Sequence, residues 1–484
     1  ENSVNRAVEL LIEAVRRILR WKVWDEWWVK EIMNEWLSAR ERLVTRLRGK
    51  YGEGVVKAIT GLIDKFITYN EELLNYWRSV GNEVEKLIED LMNGEAEVVI
   101  RGEDVTGISV YYEHITLDAQ RASNDSVTVH LVPEGLGGTT MKIPNIFRMV
   151  MSGEEYRRFI KILRALRGGF EETDGFVNEG KAGMGTNQTW QVIAWTLLYF
   201  GEAHMYINSI NVNEGGVTIS WYLQSSHKSI KGKLLNNINK LSEKELLAFM
   251  LGAVLGDGSP YFLKIVRRGR VYDEATIAIT ISNERLNDWE ALLERLRGLG
   301  FRNAKPDQTN DNVIDIRYYG SNATNLARAM IDVLPQIIKD IFDTMAFEKW
   351  LRIKQIANME YRYKRGESQI EIANYKFTVH VHRRTVELVH NAKDETEAKK
   401  IIEILVSKYG NEFYAYVNKC GRYSVVRVPM RVLTRYDDIK KQVVEVLCRK
   451  FERAKSEEKR QEIIKALRRL MAPSKGAVAV CESQ

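Results

Sequence analysis

Asp257 is the residue of this chain best placed to do chemistry. It closes the run Leu246-Leu247-Ala248-Phe249-Met250-Leu251-Gly252-Ala253-Val254-Leu255-Gly256-Asp257-Gly258. Ser242, with Glu245 three residues later, forms a capping box that predicts a helix start. The run after Glu245 is apolar nearly all round, so the helix is expected to be buried. Gly252 and Gly256 fall on one face of it. Each glycine costs roughly 1 kcal/mol of helix propensity against Ala. That cost predicts that another backbone lies very close. Gly258 suits a left-handed C-terminal position. The expectation is a carboxylate at the tip of a tightly packed helix, aimed at whatever lies beneath the glycine pair.

The residues around Asp257 extend this reading. Strand-like segments at 261–268 and 275–282 form a hairpin beside it. Lys264, Arg267, Arg268 and Arg270 give that hairpin four cations in close succession. Lys264 and Arg268 are expected to share one face. An amphipathic helix from Asn283 to Gly300 comes next, with Trp289, Leu292, Leu293, Leu296 and Leu299 at helical spacing. A strand at 312–319 containing Arg317, a helix from Ser321, and a break at Leu334-Pro335 complete an α-β-β-α-β-α order.

Residues 242–360 resemble a half-domain of the LAGLIDADG homing endonuclease family. Met250 to Gly258 lines up with the nine motif positions, agreeing at the apolar, Gly, Asp and final Gly slots. The resemblance implies an α+β fold, a LAGLIDADG-like pseudo-dimer of two αββαββα half-domains. Two motif helices pack through small residues, which would make Gly252 and Gly256 interface residues. Each helix delivers one acid to a shared metal and phosphate site. Asp257 becomes a metal ligand, the cofactor Mg²⁺ or Mn²⁺, and the partner double-stranded DNA. Arg317 lies near the family's catalytic Lys position. Lys264, Arg267, Arg268 and Arg270, with Arg383 and Arg384 further on, become expected nucleic-acid contacts. The long N-terminal half is also similar to paralogous repeat families of hyperthermophilic archaea that carry a LAGLIDADG-like segment.

The second acid is open at this stage. Glu202 comes after an apolar helix beginning at Thr189 and ending Gly201-Glu202-Ala203. Glu360 is the acid nearest the end of a helix at Phe347–Tyr361. The strand-helix pattern returns after 360, so the expected second half is 346–484, with basic C-terminal helices. The other expected regions are a helical 1–95, a mixed α+β extension 96–240, and the first half at 241–345. The Gly-rich stretch Gly180-Lys181-Ala182-Gly183-Met184-Gly185 reads as a connector rather than a phosphate loop, because its Lys precedes the glycines. Trp21, Trp24, Trp27, Trp28 and Trp36 read as a core seam, with base stacking as the alternative.

Composition sets the broad class. The chain has 484 residues, 45% hydrophobic, enough for several cored domains. A net charge of +7 leans toward a polyanionic partner. High charge with few cysteines fits a heat-adapted protein. The 3 cysteines, Cys420, Cys448 and Cys481, are far apart, which predicts no disulfide framework and a reducing, cytoplasmic setting. No apolar run is long enough to span a membrane. The functional expectation is a divalent-metal-dependent, site-specific DNA endonuclease of mobile-element type, acting as a monomer with an internal pair of halves. The alternative is a catalytically inactive DNA- or RNA-binding protein on the same scaffold, including a ribosome-associated factor.

Overall fold

A computed structural model describes residues 2–102, 105–122, 126–267, 270–310, 312–359, 368–382, 385–420, 423–454 and 456–471. The fold is α+β, with antiparallel sheets and helices. It divides into two compact units, Glu1–Glu360 and Tyr361–Gln484.

The first unit opens with three helices, α1 (Asn2–Trp21), α2 (Trp27–Arg48) and α3 (Glu53–Asn93). Trp28 and Trp36 are core residues, Trp28 edge-on to Trp77 at 4.9 Å and Trp36 stacked on Phe66 at 4.7 Å. Trp21, Trp24 and Trp27 are only half-buried. Strands β1 (Val99–Arg101), β2 (Gly107–Tyr111), β3 (Ile115–Arg121), β4 (Val127–Pro133) and β5 (Thr139–Ile143) come next, then a short α4 (Phe147–Val150).

Two stretches then run through the same succession of elements. The first is α5 (Gly153–Thr173), β6 (Gly175–Asn178), β7 (Lys181–Thr186), α6 (Thr189–Leu198), β8 (Gly201–Asn213) and β9 (Gly216–Lys228), ending in a 3-10 turn at Leu235–Lys240. The second is α7 (Glu243–Leu255), β10 (Gly258–Arg267), β11 (Arg270–Ser282), α8 (Leu286–Gly298), β12 (Asp307–Asn310), β13 (Val313–Tyr319) and α9 (Gly320–Asp332). Strands of the second stretch form a separate sheet in the order β10-β11-β13-β12. Strands of the first stand as β6-β7-β9-β8 within a 9-stranded sheet that β1–β5 complete. Helices α10 (Gln336–Met345) and α11 (Glu348–Ala357) close this unit.

The second unit contains β14 (Gln369–Ile372), β15 (Tyr375–His382), β16 (Thr385–Ala392), α12 (Glu395–Tyr409), β17 (Tyr416–Cys420), β18 (Tyr423–Pro429), α13 (Met430–Leu433), α14 (Asp437–Glu452) and α15 (Glu457–Leu470). Its sheet runs β14-β15-β16-β18-β17. Phe377, Val379, Leu388, Val426 and Val428 face a core shared with Ile401, Leu405, Val443, Leu447 and Leu467 of the helices.

Three expectations are corrected. A single domain at 346–484 does not form: Glu348–Ala357 belongs to the first unit, and the second has its own core. The Gly-rich stretch is strand β7 from Lys181 on, where a Cβ at Gly183 would collide with the Phe176 ring. Cys448, buried in α14, is disulfide-bonded, against the expectation of none. Among the described residues no helix is long and apolar enough to cross a membrane.

Candidate active site

The site is built where α5 and α7 lie against each other. Both helices start with a full capping box, Ser152 with Glu155 and Ser242 with Glu245. In each, the Ser hydroxyl accepts the Glu backbone N–H and the Glu carboxylate accepts the Ser N–H. From Leu246 to Leu255 every residue of α7 is buried.

The two backbones meet at a reciprocal pair of glycines. A Cβ at Gly252 would run into the Leu166 carbonyl and the Phe170 nitrogen. A Cβ at Gly169 would run into the Phe249 carbonyl and the Ala253 nitrogen. Gly256 faces the Thr173 hydroxyl, one turn closer to the tip. Gly258 is not in the left-handed region; it is needed because a Cβ there would strike the Val254 backbone.

This contact brings two carboxyl groups together. Asp257 comes directly after α7, and Asp174 is the C-terminal cap of α5. Burial, followed by hydrogen bonding and charge repulsion from Asp257, pushes the Asp174 carboxyl up to about 7. Gln191 of α6 donates from Nε2 to Asp174 Oδ2 at 2.7 Å, and Thr186 in turn donates to the Gln191 Oε1. Lys349 of α11 brings a cation to the pair. Its Nζ donates to the carbonyls of Leu255, at 3.3 Å, and Gly256. Burial lowers its pKa, while Asp174 and Asp257 draw it back up. Phe347, the N-cap of α11, stacks flat on Trp190 at 3.8 Å, which anchors the turn carrying Lys349.

Below the pair, α5 carries two buried carboxylates that hold structure. Glu171 accepts from the Tyr199 hydroxyl at 2.6 Å, the Ser229 hydroxyl at 2.6 Å and the Ile230 nitrogen at 2.8 Å. Glu172 accepts from the Gly232 nitrogen and from Arg285. They thereby tie the segment joining β9 to α7 onto α5. Glu172→Ala leaves Arg285 without that fully buried partner. It is expected to destabilise the first unit by about 3 kcal/mol, read as a lower urea midpoint, whereas a surface pair would cost under about 1 kcal/mol.

The other residues singled out in the sequence lie elsewhere. Glu202 is exposed on β8, paired in register with Lys142, because its helix stops at Leu198. The carboxyl that meets Asp257 is therefore Asp174, not Glu202. Glu360, Arg268, Arg383 and Arg384 lie outside the described residues. Arg317 on β13 donates to Asp307 at 3.0 Å and Asp315 at 2.6 Å, so its guanidinium is engaged by carboxylates. Lys264 is exposed on β10 opposite Asp273. Arg267 and Arg270 pair with each other at the end of that hairpin.

Two carboxylates suit Mg²⁺, which keeps most of its waters and takes one or two protein acids. Among the described residues no group of three or more His, Cys, Asp or Glu is placed to hold a metal, as a zinc-type site would need. Asp174 and Asp257 fit a hard cation because each would be relieved of the other's charge.

A sequence signal for Asp174 was present. Leu166-Arg167-Gly168-Gly169-Phe170-Glu171-Glu172-Thr173-Asp174-Gly175 places Gly169 ahead of Asp174 by the same offset as Gly252 ahead of Asp257, with a closing Gly in both. Nothing local marks Lys349.

No family model matches the chain, and no curated protein does. Solved structures of LAGLIDADG homing endonucleases are matched over part of it. I-SmaMI bound to an uncleaved DNA target in the presence of calcium ions is 11% identical, over 45% of this chain and 94% of that one, with a TM-score of 0.14. I-GzeII in complex with its DNA target is 9% identical, over 45% and 94%, with a TM-score of 0.13. I-AabMI bound to uncleaved DNA is 12% identical, over 46% and 97%, with a TM-score of 0.13.

Proposed function

We propose that the first unit is a LAGLIDADG-type endonuclease core, with 153–240 and 243–332 as the two halves of an internal pseudo-dimer, cutting double-stranded DNA with the help of a divalent cation. The observation that carries this reading is the meeting of Asp174 and Asp257 at the tips of two glycine-notched helices. Asp174 and Asp257 would hold the cation. When bound, it supplies neutralisation of the charge that develops on a scissile phosphate and a more acidic water. Gln191 holds the Asp174 carboxylate in orientation, and the glycine contact fixes the spacing of the two acids. Lys264, exposed on β10, would meet phosphate.

The test is incubation of the protein with Mg²⁺ and a randomised duplex library, followed by sequencing of cut ends. Recovery of one preferred site supports the reading; bound but uncut DNA favours the non-catalytic alternative. That alternative has its own support in Lys349, a cation whose charge already acts on both acids, and in the engagement of Arg317 by Asp307 and Asp315.

Lys349 yields a separate prediction. Removing a positive charge that acts on both carboxylates should tighten divalent-cation binding, on the order of tenfold in partly screened surroundings. Lys349→Met should show this by calorimetry with Mg²⁺ or Mn²⁺. Unchanged or weaker affinity would count against a cation at the acid pair.

A further inference from the structure

The second unit carries a sheet of the same strand order as the two stretches above, β15-β16-β18-β17, with β14 added outside β15. No acid-bearing glycine helix belongs to it among its described elements. Its helices cover one face only. Phe377, Val379, Leu388, Val426 and Val428 are fully buried there. On the opposite face Thr378, Glu387, Val389, Arg427 and Tyr416 are half-buried and Val425 is buried, while His380 and His382 are exposed. One row crosses all the strands, Gln369 beside Thr378, Thr378 beside Val389, Val389 beside Arg427, and Arg427 beside Tyr416. The next row sets His380 against Glu387.

A face that only meets water needs no rings, yet this one collects them. His380 and His382 are exposed and lie nearly parallel, 13° apart with centroids at 6.0 Å. Tyr414 is 47% exposed and lies 5.9 Å from Tyr416. The Arg431 guanidinium sits over the Tyr414 ring at 4.4 Å. Glu387 is engaged by the Tyr416 hydroxyl at 2.6 Å and by Arg427. Burial, then the charges of Lys450, His382 and Arg427, hold the His380 pKa down, while Glu387 draws it up.

We propose that this face binds single-stranded nucleic acid, with bases stacking on the exposed rings of His382 and Tyr414 and phosphates meeting Arg431. The chemistry is that of a stacking platform with interleaved cations. Base faces find rings and the backbone finds guanidinium, without a demand on sequence. Exposed rings also favour unpaired bases, since duplex DNA hides its base faces in the stack.

The experiment uses the full chain in EDTA, so that cutting is absent whatever the first unit does. Fluorescence anisotropy is followed with labelled twelve-nucleotide oligo-dT, oligo-U and a twelve-base-pair duplex. The comparison is wild type against His382→Ala/Tyr414→Ala/Arg431→Gln. The expected result is about a tenfold or larger loss of affinity for at least one single strand, with duplex affinity unchanged. The dT and U arms decide between DNA and RNA. Arg431→Glu alone, at an exposed position, gives the same decision if the triple variant fails to fold. No single-strand binding by wild type, equal single-strand binding by the variants, or a loss confined to duplex would each overturn the proposal. A failure here leaves duplex cleavage by the first unit untouched, and the reverse holds too.

Discussion

Asp257→Asn and Asp174→Asn are each expected to abolish cleavage, by about a thousand-fold or more, while duplex binding in EDTA stays equal or tightens a few-fold. The cause is electrostatic. Each Asn keeps the shape of the helix tip but removes the charge that would hold a cation, and such a cation contributes several kcal/mol to the barrier. Removing a negative charge near phosphate cannot weaken binding through charge. Retained cleavage in either variant would end the nuclease reading for this pair.

Asp174→Asn also carries a pH signature. The folded protein holds the Asp174 carboxyl at about 7, well above its ordinary value of 3.8. At pH below 4 the group is protonated in folded and unfolded chains alike, so it contributes nothing. Between pH 4 and 7 the unfolded chain releases the proton and the folded chain keeps it, so stability falls as pH rises. Above about 7 the penalty is complete. Replacing the acid by Asn removes it. The variant should therefore match wild type at pH 4. At pH 8 without metal it should unfold about 2–4 °C higher, for a gain on the order of 1 kcal/mol once partial exposure is discounted. Saturating Mg²⁺ should erase the difference, because wild type then gains binding energy that the variant lacks. Matching unfolding curves at pH 8 without metal would mean the two carboxyls do not share the site.

How much was legible in the sequence depends on how local each signal is. The buried helix before Asp257 could be read from its capping box, its apolar run and its glycines, because all three lie within one helix. Its mate was hidden by chemistry of its own. Glu171 and Glu172 occupy positions where the motif is apolar, so α5 reads as a polar surface helix. They are buried only because Ser229, Ile230, Gly232 and Arg285, far away in sequence, meet them. Glu202 drew attention through an Asp-Gly-like ending. Gly201, at φ 120°, instead turns the chain out of the helix into β8. Lys349 reaches the backbone beside Asp257 from a helix outside both halves, anchored by Trp190 and Phe347, and no spacing rule links those positions. The recurring strand order of the second unit was legible as elements. That its described residues include no acid-bearing helix was not, because Phe347–Tyr361 supplied a plausible one by pattern alone.

Gly252→Val is expected to be the most destabilising single change in the chain's first unit, by at least about 3–5 kcal/mol, enough to lose a cooperative unfolding transition at moderate temperature. Its Cβ would meet the Leu166 carbonyl and the Phe170 nitrogen, and neither backbone atom can swing aside as a side-chain tip can. Relief requires α5 and α7 to separate, which opens a void along the run from Leu246 to Leu255, buried throughout. Separation would also pull Asp174 from Asp257, so activity should fall even in molecules that remain folded. Gly61 provides the internal control. It too lies inside a helix, α3, but a Cβ there meets nothing within 4 Å. Gly61→Ala should therefore gain roughly 1 kcal/mol from helix propensity alone. Opposite signs for these two glycines in one denaturation series would separate close backbone contact from propensity. If Gly252→Val unfolded like wild type, the two helices could not be lying flush, and the acid pair would lose the feature that sets its spacing.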